Sequence, residues 1–234
     1  MIEFKPLASS SAANTYVVSD GKTTLLLDAG LKMADIRRGL NFNLSSVDAA
    51  LISHQHGDHS RSVRDLIKAG IDVYLPEDAI SELGVQGHRV HQLDSLRTRA
   101  IGSWTVLPFP VEHDVQALGF LLANEAGEKL LYVTDSYYVR YRFDGLTVIA
   151  VECNYALDIL DRNIAEGRVS ASLRGRLLRS HFSLEHVKDF LRANDLSKVR
   201  EVHLLHLSDA NSDEERFKRE VQEICGCPVY VAGR

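Results

Sequence analysis

The sequence predicts a mixed α/β fold in which helices lie outside two β-sheets. Short apolar runs bounded by turn residues recur along the chain, as expected of buried strands. Amphipathic segments with helix-start signals follow several of these runs. The chain has 234 residues, 45% hydrophobic and 25% charged, which is enough material for a sizeable core. We find no linker, low-complexity stretch or fixed repeat, which favours one domain over residues 1–234.

The composition argues against several functional classes. No apolar run approaches the roughly 20 residues of a membrane-spanning helix, and the opening MIEFKPLASS does not resemble a secretory signal. Three cysteines are too few for a disulfide framework, which favours a reducing, cytoplasmic setting. The 27 basic and 32 acidic residues give a net charge of −5, so binding a long nucleic acid would require a local basic groove.

The first part of the chain alternates strands with short helices. Strands are predicted at residues 23–27, 48–53 and 71–75. A helix is predicted at residues 60–69, because its apolar residues share one face and Gly70 can end it. Pro76 is a favourable first residue for another short helix.

The later part is richer in strands and ends with two helices. Strands are predicted at residues 98–109, 118–123, 129–133, 146–151 and 202–207. The segment NEAGE at residues 124–128 predicts a hairpin turn. Ser183 can cap a helix with an apolar face. Ser212 and Glu215 have the spacing of a capping box for the last helix.

The strongest functional signal is HQHGDH, which directly follows a predicted strand. Residues two apart on an extended chain point the same way, so His54 and His56 can bind one metal ion. The chain then turns, which brings Asp58 and His59 toward a neighbouring position. Three imidazoles and a carboxylate suit zinc or a similar first-row ion.

This motif resembles that of the metallo-β-lactamase fold superfamily, and the resemblance extends over nearly the whole chain. It implies a four-layer αββα sandwich with the active site at one rim of the two sheets. The superfamily's other motifs are matched, in chain order, by Asp28, His113, Asp135 and His206. The resemblance implies two divalent ions, zinc or manganese, with His54, His56 and His113 on one, Asp58, His59 and His206 on the other, and Asp135 between them. Asp28 is expected to support the ligands, and both Asp28 and Asp58 to be needed for catalysis.

Three segments resemble, more specifically, the YycJ/WalJ-type branch and its phage relatives, which is described as nuclease-like. They are residues 7–31, 113–120 and 206–211. This resemblance implies a bacterial or phage-encoded intracellular protein, with Ser208 and Asn211 among the substrate-binding residues. The loop containing Asn14 would also lie near the site. The 71 residues from Asp135 to His206 are too few for the domain inserted in larger RNA-processing nucleases.

Two features favour phosphodiester substrates. Glu152 and His181 resemble the pair that transfer-RNA-processing and cyclic-nucleotide phosphodiesterase branches use to protonate the leaving oxygen. Arg174, Arg176 and Arg179 precede His181 and suit phosphate oxygens, although a solvated helix face is an alternative interpretation. We therefore predict a metal-dependent phosphodiesterase, in first place a nuclease, whose nucleophile is a hydroxide between the two metals.

Other functions stay open at this point. The substrate could be a cyclic or short nucleotide. A thioesterase or lactonase of the glyoxalase-II kind would use the same metal ligands but leaves Glu152 and His181 without a task. A non-catalytic metal-binding subunit is disfavoured because all seven ligand positions are filled. A homodimer is compatible with the sequence.

Overall fold

The computed structural model describes residues 1–233 of the chain. Its strands form two β-sheets accompanied by α-helices, which confirms the mixed α/β class predicted from the sequence. The residues group into two compact units. The first consists mainly of residues 1–110 and 116–128, and the second of residues 111–115 and 129–232. No helix in the described part of the chain is long and apolar enough to cross a membrane.

The first unit contains a six-stranded sheet whose strands follow chain order. These strands are β1 (Glu3–Ser10), β2 (Ala13–Ser19), β3 (Thr24–Leu27), β4 (Ala49–Leu51), β5 (Asp72–Leu75) and β6 (Val90–Gln92). Strands β1 to β3 pair in antiparallel fashion, and β3 to β6 pair in parallel. The helices are α1 (Met33–Gly39), α2 (Gly57–Ser60), α3 (Val63–Lys68) and α4 (Glu77–Leu83). The unit also contains β7 (Arg99–Ile101), most of β8 (Trp104–Val111) and β9 (Ala117–Ala123).

One hydrophobic cluster joins the parallel strands of the first unit to its helices. Strands β3, β4 and β5 are nearly continuously apolar, as expected of parallel strands that are buried on both faces. Ile36 of α1, Val63 of α3 and Ala79 of α4 are buried in the same cluster as Leu26 and Val73. Burying one large apolar side chain contributes about 1.5–3 kcal/mol to the stability of the fold. This cluster therefore stabilises the strands from whose ends the site loops extend.

The second unit contains four parallel strands. They are β10 (Lys129–Val133), β11 (Val148–Glu152), β12 (Glu201–Leu205) and β13 (Val229–Val231), in the spatial order β13-β12-β11-β10. Its helices are α5 (Leu157–Ala165), α6 (Ala171–Ser180), α7 (Leu184–Arg192) and α8 (Glu214–Cys225). Residues that follow neighbouring parallel strands meet at one edge of the sheet, where ligands bind in α/β folds.

Most predicted elements are confirmed, but three differ in detail. The strand predicted at residues 98–109 is divided into β7 and β8 by a turn at Gly102, whose φ is +58°. The helix predicted at residues 60–69 is interrupted between α2 and α3, where Ser62 hydrogen-bonds to the backbone of residues 29 and 31. Helix α8 is capped by Asp213 rather than Ser212, because the Ser212 hydroxyl donates to the carbonyl of residue 208.

Candidate metal centre

One group of predicted ligands lies in the first unit, between β4 and the end of α2. His54 Nε2 lies 3.0 Å from His56 Nδ1, and Asp58 Oδ2 lies 3.3 Å from His59 Nε2. The ring centroids of His54 and His59 are 4.3 Å apart. Two nitrogens bound to a tetrahedral zinc at 2.0–2.1 Å would be about 3.3 Å apart. The spacing of the first two histidines therefore fits a shared ion.

Asp28 orients two of these imidazoles. Its buried carboxylate accepts hydrogen bonds from His59 Nδ1 at 2.8 Å and from the Ser53 hydroxyl at 3.0 Å. Since that hydroxyl has given its hydrogen to Asp28, it accepts one from His54 Nδ1, 2.9 Å away. Both imidazoles then keep a lone pair on Nε2, the form that binds a metal.

Asn14 and Gly30 shape the same loop. The Asn14 side-chain nitrogen lies 3.0 Å from His59 Nε2 and 3.3 Å from Asp58 Oδ2. At Gly30, an added Cβ would lie only 1.6 Å from the carbonyl oxygen of Asp58. A residue with any side chain at position 30 would thus displace the backbone of the ligand loop.

A second group of predicted site residues lies in the second unit, where β10, β11 and β12 end. His206 Nδ1 donates to Asp135 Oδ1 at 2.7 Å, and the other oxygen of Asp135 lies 3.8 Å from His113 Nε2. Ligand atoms of Asp135, Glu152, His181 and His206 all lie within 4.8 Å of one another. Asp135 and His206 are 71 positions apart in the sequence, and the parallel strands β10, β11 and β12 bring them together with Glu152.

Three of the site residues have an unusual backbone. Asp28, Asp135 and His206 have φ angles of +58°, +42° and +53°, and each lies within two residues of a strand end. A left-handed backbone at residues other than glycine costs about 1–3 kcal/mol and is concentrated at functional sites. The strain at these three positions therefore indicates a functional constraint on where their side chains lie.

The carboxylates of the second unit make its ligand group strongly attractive to cations. Burial disfavours a charged imidazolium, but Asp135 and Glu152 outweigh it and raise the pKa of His206 to about 10. A divalent cation would be drawn by the same carboxylates and would compete with that proton. Burial lowers the pKa of His113, whose Nδ1 donates to the Ser180 carbonyl, so its Nε2 keeps a lone pair for a metal.

Glu152 and His181 form a largely buried ion pair beside these ligands. His181 Nδ1 donates to Glu152 Oε1 at 2.6 Å, and the other carboxylate oxygen accepts the backbone N–H groups of Ser136 and Phe182 at 3.1 and 3.2 Å. Although burial opposes both charges, the carboxylate raises the pKa of His181, and the imidazolium lowers the pKa of Glu152. The pair is therefore suited to keep a proton on His181 near neutral pH.

The three arginines predicted to bind substrate lie exposed on α6. Arg174 Nε donates to Asp161 at 2.8 Å, and Arg179 Nε donates to the carbonyl of Gly175 at 2.9 Å. Arg176 has no ion pair within residues 1–233. Arg176 is therefore the most available of the three arginines for binding a phosphate.

Ser208 and Asn211 lie in the loop that follows His206. Asn211 is buried, and its side-chain oxygen accepts a hydrogen bond from Asn163 at 3.0 Å. The backbone N–H of Ser208 donates to the Asn154 carbonyl, and the Asn154 side chain donates to the His206 carbonyl at 2.8 Å. Ser208 and Asn211 therefore help to fix the loop that follows the predicted ligand His206.

Two positioning residues escaped the sequence interpretation. Ser53 connects Asp28 to His54, and Asn154 supports the backbone of His206. Ser53 directly precedes the histidine motif, and a hydroxyl next to a ligand is a signal that could have identified it. Asn154 carries no such local signal.

The chain is similar to known proteins over most of its length. A family model described as a beta-lactamase superfamily domain matches residues 23–206. The exodeoxyribonuclease WalJ of Streptococcus pneumoniae serotype 2 (strain D39) is 28% identical over 230 residues, which cover 91% of this chain and 84% of that protein. The exodeoxyribonuclease YycJ of Bacillus anthracis is 25% identical over 240 residues, which cover 95% of this chain and 89% of that protein.

A solved structure has the same fold. The metallo-beta-lactamase fold protein YhfI from Bacillus subtilis matches with a TM-score of 0.76 at 14% identity, covering 100% of this chain and 98% of that one. This match confirms the fold class expected from the sequence. The sequence matches confirm the resemblance to the YycJ/WalJ-type branch.

Proposed function

Because the chain belongs to the beta-lactamase superfamily, we propose that it is a metal-dependent phosphodiesterase that acts on DNA as an exonuclease. The observation that carries this proposal is the Glu152–His181 pair, since ester hydrolysis with a good leaving group does not need such a proton donor. The similarity to two exodeoxyribonucleases over more than nine-tenths of the chain supports DNA as the substrate.

We propose that seven residues hold two divalent ions, zinc or manganese. His54, His56 and His113 would serve one ion, Asp58, His59 and His206 the other, and Asp135 both. Seven imidazole and carboxylate donors exceed the four ligands of a single tetrahedral zinc, which supports two ions. When bound, such a pair activates water at neutral pH and stabilises the charge that develops on the phosphate. We also propose that residues 1–234 act as one catalytic domain.

The protein's own side chains would position these ligands and transfer the proton. Asp28 fixes the tautomers of His59 and, through Ser53, of His54. His181 has its Nδ1 engaged by Glu152, so its Nε2 carries the transferable proton. The alkoxide that leaves a phosphodiester is strongly basic, and its protonation by a positioned acid is worth about 10²–10⁴-fold in rate.

Substrate binding would rest on a local basic surface, because the whole chain carries a net charge of −5. Arg176 on α6 would contact backbone phosphates, with Arg174 and Arg179 joining when their present partners are displaced. Ser208 and Asn211 would contribute to substrate binding through the loop after His206.

We also propose an intracellular site of action in a bacterial or phage context. Homodimerisation stays a prediction.

A panel of substrates tests this function. Zinc- or manganese-loaded protein is incubated with single-stranded DNA, single-stranded RNA, duplex DNA, a cyclic mononucleotide and a thioester, and the products are separated. We expect mononucleotides to be released from DNA. The His181→Ala variant should lose this release, while His88→Ala, which changes an exposed histidine away from the site, should retain it. Hydrolysis of the thioester with no phosphodiester consumed would refute the proposal.

A further inference from the structure

The second unit contains a cavity of about 360 Å³ whose lining includes none of the predicted metal ligands. One wall is the segment of residues 138–142, which follows β10, and the other is the face of α7 that carries His186 and Phe190. Cavities of roughly this size and above hold small ligands in proteins. The function proposed above assigns no role to it.

The two walls are fixed to each other before any ligand binds. The side-chain oxygen of Asn194 accepts from the backbone N–H of Phe143 at 2.7 Å, and its nitrogen donates to the carbonyl of Phe190 at 2.7 Å. The Ser136 hydroxyl donates to the carbonyl of Tyr138 at 2.8 Å. A preformed pocket of this kind avoids part of the entropic cost of binding.

The pocket adjoins the proposed proton donor. Phe182, which lines it, directly follows His181 and donates its backbone N–H to Glu152 at 3.2 Å. Ser136, which fixes Tyr138, donates its own backbone N–H to the same carboxylate at 3.1 Å. Both walls are therefore anchored on the carboxylate that orients His181.

The lining combines aromatic rings with positive charge. Tyr138 is 53% exposed although it is a large aromatic residue, and Tyr141 lines the same pocket. The charge of Arg140 is offset by Glu112 and that of Asp189 by Arg192. Arg142 is exposed and has no ion pair in the part of the chain that the structure describes. An exposed aromatic ring beside an unpaired guanidinium is a combination with which proteins bind single-stranded nucleic acid.

We propose that this pocket binds the nucleoside on the leaving-group side of the scissile phosphate, at the end of a single DNA strand. Its base would stack on Tyr138, and the adjoining phosphate would lie at Arg142. The assignment to the leaving-group side rests on the proposed function, because it follows from the role of His181. A pocket for one base favours a single strand, since a base in a duplex is already stacked and paired.

An abasic residue in the DNA tests this pocket. Binding of metal-loaded protein to a labelled single strand with slowly cleaved phosphorothioate linkages is measured by fluorescence anisotropy. Two strands are compared: one is intact, and the other has one abasic residue next to its terminal linkage. The wild type should bind the intact strand more tightly by roughly 5- to 150-fold, the range measured for base–aromatic stacking. Tyr138→Ala should remove this preference, and Tyr138→Phe should keep it.

Matched variants separate the pocket from general surface effects. Tyr230→Ala removes another exposed tyrosine of the second unit and should leave the preference unchanged. Arg142→Gln should lower the affinity for both strands and reduce the salt dependence of binding by about one phosphate contact. Arg219→Gln should change neither quantity.

The outcomes distinguish this inference from the proposed function. Equal binding of the two strands by the wild type, or a preference that survives in Tyr138→Ala, would overturn the pocket. A preference that depends on Tyr138, in a protein that cleaves no DNA, would support base binding here and refute the nuclease instead.

Discussion

The two groups of predicted metal ligands are built in different ways. In the first unit, four ligands lie within residues 54–59, on one loop and the short helix α2. In the second unit, His113, Asp135 and His206 come from three distant segments. Local chain geometry arranges the first group, whereas the pairing of parallel strands brings Asp135 and His206 together, and His113 follows β8 in a separate segment. The first group can be recognised in a hexapeptide, and the second requires the fold.

The largest effect is expected from removing one ligand of either group. His56→Ala and His206→Ala should each lower the metal content below the two equivalents expected for the wild type, and should abolish DNA hydrolysis. The reason is that the proposed ions share Asp135 and act together. Elemental analysis and nucleotide release check this prediction. A variant that keeps full activity would show that its group is not needed for catalysis.

His181→Ala should separate the proton donor from the metal ligands. Both ions should stay bound, while turnover of an ordinary phosphodiester falls by about 10²–10⁴-fold. A nitrophenyl phosphodiester should be largely spared because its oxyanion leaves without a proton. Glu152→Gln should show the same pattern more weakly. Equal losses on both substrates would exclude the role of general acid, and no loss on either would make the pair purely structural.

Asp28→Asn should have a smaller effect, confined to the first group. One oxygen of the carboxylate accepts from His59 Nδ1 and the Ser53 hydroxyl, and the other accepts from the Ser53 backbone N–H. A carboxamide has a single oxygen, and its NH2 group would face one of these donors, so the two imidazoles are held less firmly. Loss of such an outer partner typically costs about 10–100-fold in metal affinity or activity. Competition with a chelator measures the affinity. Asp35→Asn, at a partly exposed position on α1, is the control, and equal affinities in the two variants would contradict the supporting role of Asp28.

Chelation should lower the melting temperature by several degrees. Ions that bind only the folded state stabilise it by linkage, about 2.7 kcal/mol at a free concentration of 100 times Kd, and 1 kcal/mol shifts Tm by roughly 2–4 °C in a chain of this length. Calorimetry of loaded and stripped protein measures the shift. The shift should shrink in His206→Ala, and an unchanged Tm after verified removal of metal would refute the coupling.

The smallest effect is expected on α6. Replacing Arg174, Arg176 and Arg179 with Gln should raise KM for long single-stranded DNA several-fold and flatten its salt dependence, with kcat little changed. Steady-state kinetics at several salt concentrations tests this, with Arg219→Gln as the control. Kinetics that do not respond to the triple substitution would support the alternative of a solvated helix face.

The same contrast explains how much could be predicted from the sequence. Alternation along an extended chain was enough to bring His54 and His56 together, because the information is local. The contact between His206 and Asp135 spans 71 positions, so only the resemblance to a known fold could indicate it. Glu152 and His181 are likewise 29 positions apart, and their hydrogen bond depends on the tertiary structure.

Polar residues account for two of the elements that the sequence interpretation missed. Strand β2 buries Asn14 and Thr15, which a hydrophobic pattern cannot anticipate because hydrogen bonds to the ligand loop and the backbone make their burial favourable. Helix α6 was not predicted because Leu177 is its only buried apolar residue and three of its ten residues are arginines. In both cases the chain departs from simple amphipathic patterning near the residues proposed to act on the substrate.

The most direct test of the central claim is the release of nucleotides from end-labelled single-stranded DNA by one preparation in three states: loaded with metal, stripped by a chelator, and reloaded. We predict that the loaded and reloaded protein will shorten the strand from one end and that the stripped protein will not. Shortening at an undiminished rate by verified metal-free protein would contradict the account.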